Sequence, residues 1–226
     1  MRYLACLVLL LAPVVAVPAA QAHVPGRAAG AHTSANHYGP FLVVSGTRAV
    51  LAGVTDHRSP AQFAAMLRDH PGLQVLELRD CPGTLDDLAN LQLGRMIRAV
   101  GLETHVPVGG SVRSGAVELF LAGATRRIDD KAEFAVHAWM DEDGLEAGDH
   151  GADSPINRRY LAYYREMGMT ASQAAAFYAM TNSVPFSGAR WLTADEMRGW
   201  VENGHDQPRA AAVPMLAYLD LGPALP

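Results

Sequence analysis

Ser114 and His137 set the chemistry open to this chain. Ser114 follows a glycine-rich run, Gly109-Gly110-Ser111-Val112-Arg113, and with Gly115 it opens an apolar helix predicted over 116–124. A serine at a strand-to-helix turn stands where backbone N–H groups point at a developing oxyanion. His137 ends a short apolar strand predicted over 133–136. A histidine at the end of a neighbouring strand can take the serine's proton. Each residue alone has an ordinary explanation: serine is a common N-cap, and a histidine at a strand end is commonly a satisfied core or surface residue. Their order in the chain, with a Cys81-Pro82-Gly83-Thr84 turn upstream, is what makes the pair a candidate site.

The elements that must position this pair alternate between strand and helix. The apolar run 73–78 reads as a buried strand that stops at the Pro82-Gly83 turn. A helix is predicted over 85–100, with Leu85, Leu88, Met96 and Val100 on one face and Gln92 in the same stripe. A second strand over 103–108 runs into the glycine-rich turn before Ser114. Upstream, 41–44 and 49–54 read as short strands, and Ser59-Pro60 starts a helix through Leu67. The alternation implies an α/β fold with a largely parallel sheet and helical crossovers. Downstream, Ser154-Pro155 starts a helix through Met167 with Tyr160, Leu161, Tyr164 and Met167 on one side. Thr170 with Gln173, and Thr193 with Glu196, have the spacing of capping boxes, and 181–190 connects the two helices they open. The acidic, glycine-containing stretch 141–153 lacks the spacing of a calcium loop and reads as a mobile loop.

Composition narrows the function classes. Half of the residues are apolar and the net charge is −5, so there is no electrostatic footprint for nucleic acid. Lys131 is the single lysine, which nearly removes a Ser/Lys dyad. No Gly-x-Ser-x-Gly, His-Glu-x-x-His or Cys-x-x-Cys pattern occurs, and neither a metal nor a cofactor is expected. Residues 1–22 read as a signal peptide: Arg2, an apolar run over 4–17, and Ala20-Gln21-Ala22 with cleavage after Ala22. An uncleaved anchor helix is the alternative, but the apolar run is short for a bilayer, which needs roughly 20 residues. Residues 23–38 read as a flexible segment whose histidines are solvated, 39–206 as the folded domain, and 207–226 as a proline-rich tail with an apolar island. Cys81 remains alone after cleavage, has no internal disulfide partner, and reads as a small packed residue.

Taken together, these pieces resemble the Clp protease proteolytic subunit family over roughly 39–204. Leu76 to Gly83, followed by a helix, resembles that family's Ser-Pro-Gly-Gly turn. Ser114 to Gly123 resembles its nucleophile helix, Ala135-Val136-His137 the strand carrying its histidine, and Trp191 to Glu196 its late Leu-Ser-x-x-Glu helix start. The likeness is to secreted Clp-protease-like proteins of bacteria and implies the spiral of parallel strand-helix units shared with crotonases. By that resemblance Ser114 is the nucleophile and His137 the general base. Gly115 and the Gly83-Thr84 turn supply the oxyanion donors. The chain departs from the pattern at three places. Thr84 stands where the family has a second glycine. Arg113 stands where it has a small residue, and its guanidinium would either hold a substrate carboxylate or block the pocket. The region where the family's Asp falls, 181–191, holds no carboxylate, leaving Thr181 or Asn182 to orient His137. Glu118, one turn after Ser114, either answers Arg113 or adds a second carboxylate to the site.

The resulting expectation is an exported, ATP-independent serine hydrolase acting on a peptide or small acyl substrate, in the periplasm or outside the cell. It would have no nucleic-acid or ATPase partner, and the resemblance implies a homo-oligomer. A catalytically weak binding or scaffold protein of the same fold is the alternative. A crotonase-type acyl-CoA enzyme fits less well, because an export signal separates the chain from cytosolic CoA substrates.

Overall fold

In a computed structural model, residues 36–202 are described, and the chain between them winds as a spiral in which each turn carries two short strands and one helix. The chain enters through β1 (His37–Tyr38), β2 (Phe41–Ser45) and β3 (Arg48–Leu51), which form an antiparallel meander. Helix α1 (Ser59–Asp69) leads to β4 (Val75–Leu78) and β5 (Asp80–Cys81). Helix α2 (Asp87–Val100) leads to β6 (Glu103–Val106) and β7 (Ser111–Arg113). Helix α3 (Ala116–Leu121) leads to β8 (Thr125–Ile128) and β9 (Glu133–Val136). A short 3-10 helix (Ala147–Asp149), α4 (Pro155–Glu166), α5 (Ala171–Thr181), β10 (Arg190–Thr193) and α6 (Ala194–Glu202) complete the described chain.

The first strand of each turn joins one sheet and the second joins another. The six-stranded sheet runs β1-β2-β3-β4-β6-β8, parallel from β3 onward. The four-stranded sheet runs β10-β9-β7-β5, parallel except for the β10 edge. The α/β class with parallel strands and helical crossovers is as the sequence implies, but the single sheet is replaced by two. The reason is local. Arg79, Pro107 and the 129–132 segment break what would be long strands, so β4, β6 and β8 each hand over to a second short strand. The glycine-rich run before Ser114 therefore contains a strand, β7, in place of a simple turn.

Several boundaries follow the capping residues. Pro60 sits in the first turn of α1, Asp86 caps α2 by accepting from the Ala89 N–H, and Gly101 ends it at φ 75°. Ser154 caps α4, and Thr170 with Gln173 forms the capping box of α5. Thr193 and Glu196 exchange the same pair of hydrogen bonds at α6. Because Asp86 takes the cap position, α2 begins after Leu85. Leu85 and Leu88 are exposed, and the face that packs inward carries Asn90, Leu91, Leu93, Met96 and Ile97. On α4 the buried row is Tyr160, Tyr163 and Tyr164, with Met167 beyond it, and Leu161 lies outside this row. His37 and Tyr38, assigned from the sequence to the flexible segment, pair with β2, and the Tyr38 hydroxyl donates to Asp69. The acidic loop is tied down by its 3-10 helix and by a 3.0 Å contact between His150 and Asp141. The stretch 1–22, read as a signal peptide, and the stretch 207–226, read as a proline-rich tail, lie outside the described residues.

The core fills the space between the sheets and helices α1 to α6. Phe120 and Phe134 meet at 5.1 Å between ring centroids, and Leu76, Leu78 and Val112 are fully buried beside them. Cys81 is packed in this core as a free thiol, and burial pushes its pKa up to about 12, so it stays protonated and unreactive.

Candidate active site

Ser114 connects β7 to α3 with a φ of 51°, a left-handed conformation that a residue with a Cβ rarely adopts. Such strain persists only when its surroundings hold it. Here the Ser114 N–H donates to the Ala135 carbonyl of β9 at 2.8 Å, and the Ser114 carbonyl accepts from Val117 at 2.9 Å. The first of these bonds fastens the serine's backbone to the strand that ends in His137.

The Cys81-Pro82-Gly83-Thr84 turn lies directly against this junction. A Cβ on Gly83, which has a φ of 132°, would stand 2.9 Å from the Ser114 Cβ and 3.2 Å from its Oγ. A Cβ on Gly115 would stand 2.6 Å from the Thr84 Cγ2. Both positions therefore need glycine for close approach, and the backbone of both segments surrounds the serine hydroxyl. The N–H groups of Thr84 and Gly115 have no backbone or side-chain acceptor among the described residues, which leaves two donors free beside Ser114. Thr84 replaces the expected glycine without closing the site, because its hydroxyl turns away to the carbonyls of Thr55 and Asp86.

A residue that sequence reasoning missed holds the junction. Asn90 of α2 is buried, donates from Nδ2 to the Gly115 carbonyl at 2.6 Å, and accepts from the Thr55 hydroxyl at 3.0 Å. Thr55 also donates its N–H to the Gly83 carbonyl at 3.1 Å. One amide thus ties together the three segments that bring Gly83, Thr84 and Gly115 to Ser114. The signal in the sequence was a polar residue in register with Leu93 and Ile97 on the buried face of α2.

His137 follows β9 and lines the same cavity, of about 640 Å3, as Ser114, Thr84 and Gly115. Its Nδ1 lies 2.8 Å from the Ala138 carbonyl. A carbonyl can only accept, so Nδ1 carries a proton, and in the neutral ring the lone pair is on Nε2. Phe186 packs edge-on against the ring at 5.0 Å between centroids. No hydrogen bond joins His137 to Ser114 in this conformation, so the pair is brought to one cavity without being locked together.

Four residues named from the sequence behave differently from expectation. Arg113 points along the face of β7 opposite Val112, donates to Ser111 at 2.6 Å and to Asp80 at 2.8 Å, and is not part of the cavity wall. The alternation of a strand explains this, since Arg113 shares its side with Ser111. Its guanidinium is held by Ser111 and Asp80 and lies outside the cavity wall. Thr181 and Asn182 do line the cavity, but both are bonded to the Tyr178 carbonyl, at 2.9 and 2.8 Å, and neither reaches His137. Glu118 does not answer Arg113. It is buried in the cavity wall and accepts from the Tyr164 hydroxyl at 2.7 Å.

The carboxylate within electrostatic reach of His137 is Asp87, in the first turn of α2. It is open to solvent on one side and packed on the other, where the Tyr160 hydroxyl donates to it at 2.8 Å. Burial raises its pKa, Asp86 adds to that, and the Tyr160 bond and the charges of His137 and Arg159 pull the other way. Burial also holds the Glu118 carboxyl well up, at about 7, with Asp87 contributing repulsion. Among the described residues no group of three or more metal-ligating side chains converges.

No family model matches the chain, and no curated protein matches it. Solved structures do. The membrane-bound stomatin-specific protease 1510-N is similar as a mutant bound to a substrate peptide, with 13% identity, a TM-score of 0.47, and 70% of this chain and 74% of that chain covered. A second mutant of it is similar at 15% identity, a TM-score of 0.48, and 69% and 75% coverage. ClpP1 from Listeria monocytogenes, also a mutant, is similar at 14% identity with a TM-score of 0.50, covering 69% of this chain and 88% of that one. With the two-sheet spiral described above, this likeness establishes a ClpP-like α/β fold for the chain.

Proposed function

We propose that this chain is an exported serine hydrolase of the peptidase class that works without an ATPase, with Ser114 as nucleophile and His137 as general base. The observation that carries this reading is Ser114 itself: a strained, non-glycine residue held between two close-approach glycines, with two unpaired N–H groups beside it and His137 in the same cavity. In the reaction the Ser114 Oγ attacks the carbonyl carbon of a peptide or small acyl substrate, and His137 Nε2 takes the hydroxyl proton. The oxyanion forms against the N–H groups of Thr84 and Gly115. As the tetrahedral adduct collapses, His137 returns the proton to the leaving group. Water, activated by the same nitrogen, then releases the acyl group from Ser114. Joining Ser114 and His137 requires a side-chain rotation, which is common before substrate binds.

A fluorophosphonate probe tests this directly. The full chain is expected to label at one residue, with the mass shift on the peptide containing Ser114, and prior denaturation should abolish labelling. A second reading, a binding protein of the same fold, is favoured by one observation: His137 rests on a backbone carbonyl instead of a carboxylate. A chain that stays unlabelled while folded would select it. Export is proposed on Arg2, the apolar run 4–17 and Ala20-Gln21-Ala22. Mass spectrometry of the protein from its native source should find His23 as the first residue, and an intact Met1 form would reject cleavage. Self-association into a homo-oligomer belongs to the same proposal.

A further inference from the structure

We propose that the cavity beside Ser114 is a recognition pocket for an organic cation, so that the hydrolase selects substrates bearing an ammonium or guanidinium side chain next to the bond it cuts. The substrate preference rests on the hydrolase reading above; the binding of the cation does not.

The charge of the wall is one-sided. Among the described residues, carboxyl groups of Asp86, Asp87, Glu118, Asp141 and Glu142 line the cavity against a single guanidinium, that of Arg159. Two of these acids already serve the fold. Asp86 caps α2, and Asp141 accepts from two backbone N–H groups and contacts His150. Asp87 and Glu118 have no such structural employment. Neither has an ion-pair partner among the described residues, and each accepts one tyrosine hydroxyl, from Tyr160 and Tyr164. Arg159 acts on Asp87 through its charge alone, without a hydrogen bond.

The tyrosine hydroxyls of the wall are all committed. Tyr160, Tyr164 and Tyr178 spend their hydroxyl protons on Asp87, Glu118 and Asn157. Asn182, which also lines the cavity, has its Oδ1 buried without a partner. Its amide cannot be reversed, because Nδ2 donates to the Tyr178 carbonyl. Asp87 and Glu118, each with one tyrosine donor and no ion-pair partner among the described residues, suit a ligand that brings N–H donors and positive charge.

The remaining wall suits the stem and face of such a group. Trp139 and Tyr160 stack at 6.2 Å, and Tyr160 and Tyr178 at 5.9 Å, so this side of the cavity is an aromatic wall whose rings can lie near a cation. Leu88, Met140 and Phe186 are exposed around the opening and can cover an aliphatic stem. A divalent metal fits less well, since no three ligands converge among the described residues.

Burial gives the pocket a pH dependence. The titratable groups facing Glu118 are Tyr160, Tyr163 and Tyr164 of α4 and Asp87 of α2. The tyrosines are held well above their ordinary range and stay protonated, and burial carries Glu118 to about 7; His137 lines the same cavity. Cation binding should therefore strengthen as the pH rises from 6 to 8.

The test uses the full chain carrying Ser114→Ala, so that hydrolysis cannot intervene, titrated calorimetrically with benzamidine and with benzamide, its neutral counterpart. Benzamidine is expected to bind at least about tenfold more tightly at pH 8, with that advantage shrinking at pH 6. Glu118→Gln, which keeps the acceptor for Tyr164, should weaken benzamidine at least about tenfold and flatten the pH dependence. Asp87→Asn provides an independent variant should Glu118→Gln fold poorly. Equal affinity for the two probes, or benzamidine affinity indifferent to both substitutions, overturns the proposal. On the wild-type chain, lysine and arginine esters should be cleaved faster than the norleucine ester. Benzamidine binding in a chain that never labels with fluorophosphonate would retain the cation pocket and reject the hydrolase. Labelling without any preference for the cation would do the reverse.

Discussion

Ser114→Ala and His137→Ala are each expected to lower kcat on an ester or peptide substrate by at least about 1,000-fold, and the double variant by no more than the worse of the two. The expectation follows from the division of labour proposed for the site. Alanine at 114 removes the attacking oxygen outright. Alanine at 137 leaves the oxygen but removes the Nε2 lone pair, and a serine hydroxyl is a weak nucleophile without a base. Either loss stops the same step, so the second cannot cost again. What survives in each variant is the contribution of the Thr84 and Gly115 N–H groups, which depend on Asn90 and Thr55 and not on the two replaced side chains. KM should change little, because neither residue supplies much ground-state binding. The measurement is a steady-state comparison of the three variants with the wild type, after circular dichroism shows them folded. A His137→Ala enzyme retaining activity within about tenfold of wild type would remove His137 as the base. Asp87 or Glu118, the other proton acceptors in the cavity, would then be next in line.

Much of this site was legible before the structure. The order of a Pro-Gly turn, a Ser-Gly helix start and a strand ending in histidine brought Gly83, Thr84, Ser114, Gly115 and His137 together correctly, because parallel strands with helical crossovers return each turn of chain to the same edge. The strands of the second sheet were harder to see. Asp80–Cys81 and Ser111–Arg113 are two and three residues long, too short for alternation to register. That omission also misdirected Arg113: in a turn its side chain is free to face the serine, whereas in β7 it must share a side with Ser111. Leu85 and Leu88 fit a helical stripe by spacing, but the N-cap at Asp86 starts the helix later and turns them to the cavity opening. In sequence Asp87 is a first-turn acid, favourable to any helix, and nothing local marks it as within electrostatic reach of His137. The tyrosine wall comes from α4 and α5, more than forty residues after Ser114, and depends on tertiary packing that a periodic pattern does not encode.

The chain should become more stable when Glu118 is replaced by glutamine, provided the pH is high enough. Burial raises the Glu118 carboxyl from its ordinary 4.5 to about 7. Below pH 4.5 both folded and unfolded chains hold the proton, and this residue adds no pH dependence. As the pH rises from 4.5 to about 7 the unfolded chain releases its proton while the folded chain keeps it, so folding stability falls. Above 7 the loss is complete, roughly 3 kcal/mol for a shift of this size. Glutamine has no proton to release, fills nearly the same space, and still accepts from Tyr164. Glu118→Gln should therefore unfold at a higher temperature than the wild type at pH 8, by up to about 10 °C for a domain of this size, with the gap closing at pH 4. Thermal melts of both proteins across that range check this; unfolding curves separated by the same interval at every pH would show that Glu118 is not the buried acid described here. A stabilising change at a residue that lines the same cavity as Ser114 also has a functional meaning. The fold tolerates a costly carboxyl at this place, as sites that must meet a charged ligand do. The same substitution that stabilises the chain at pH 8 should weaken the binding of a cation there, and the two effects should follow the same titration.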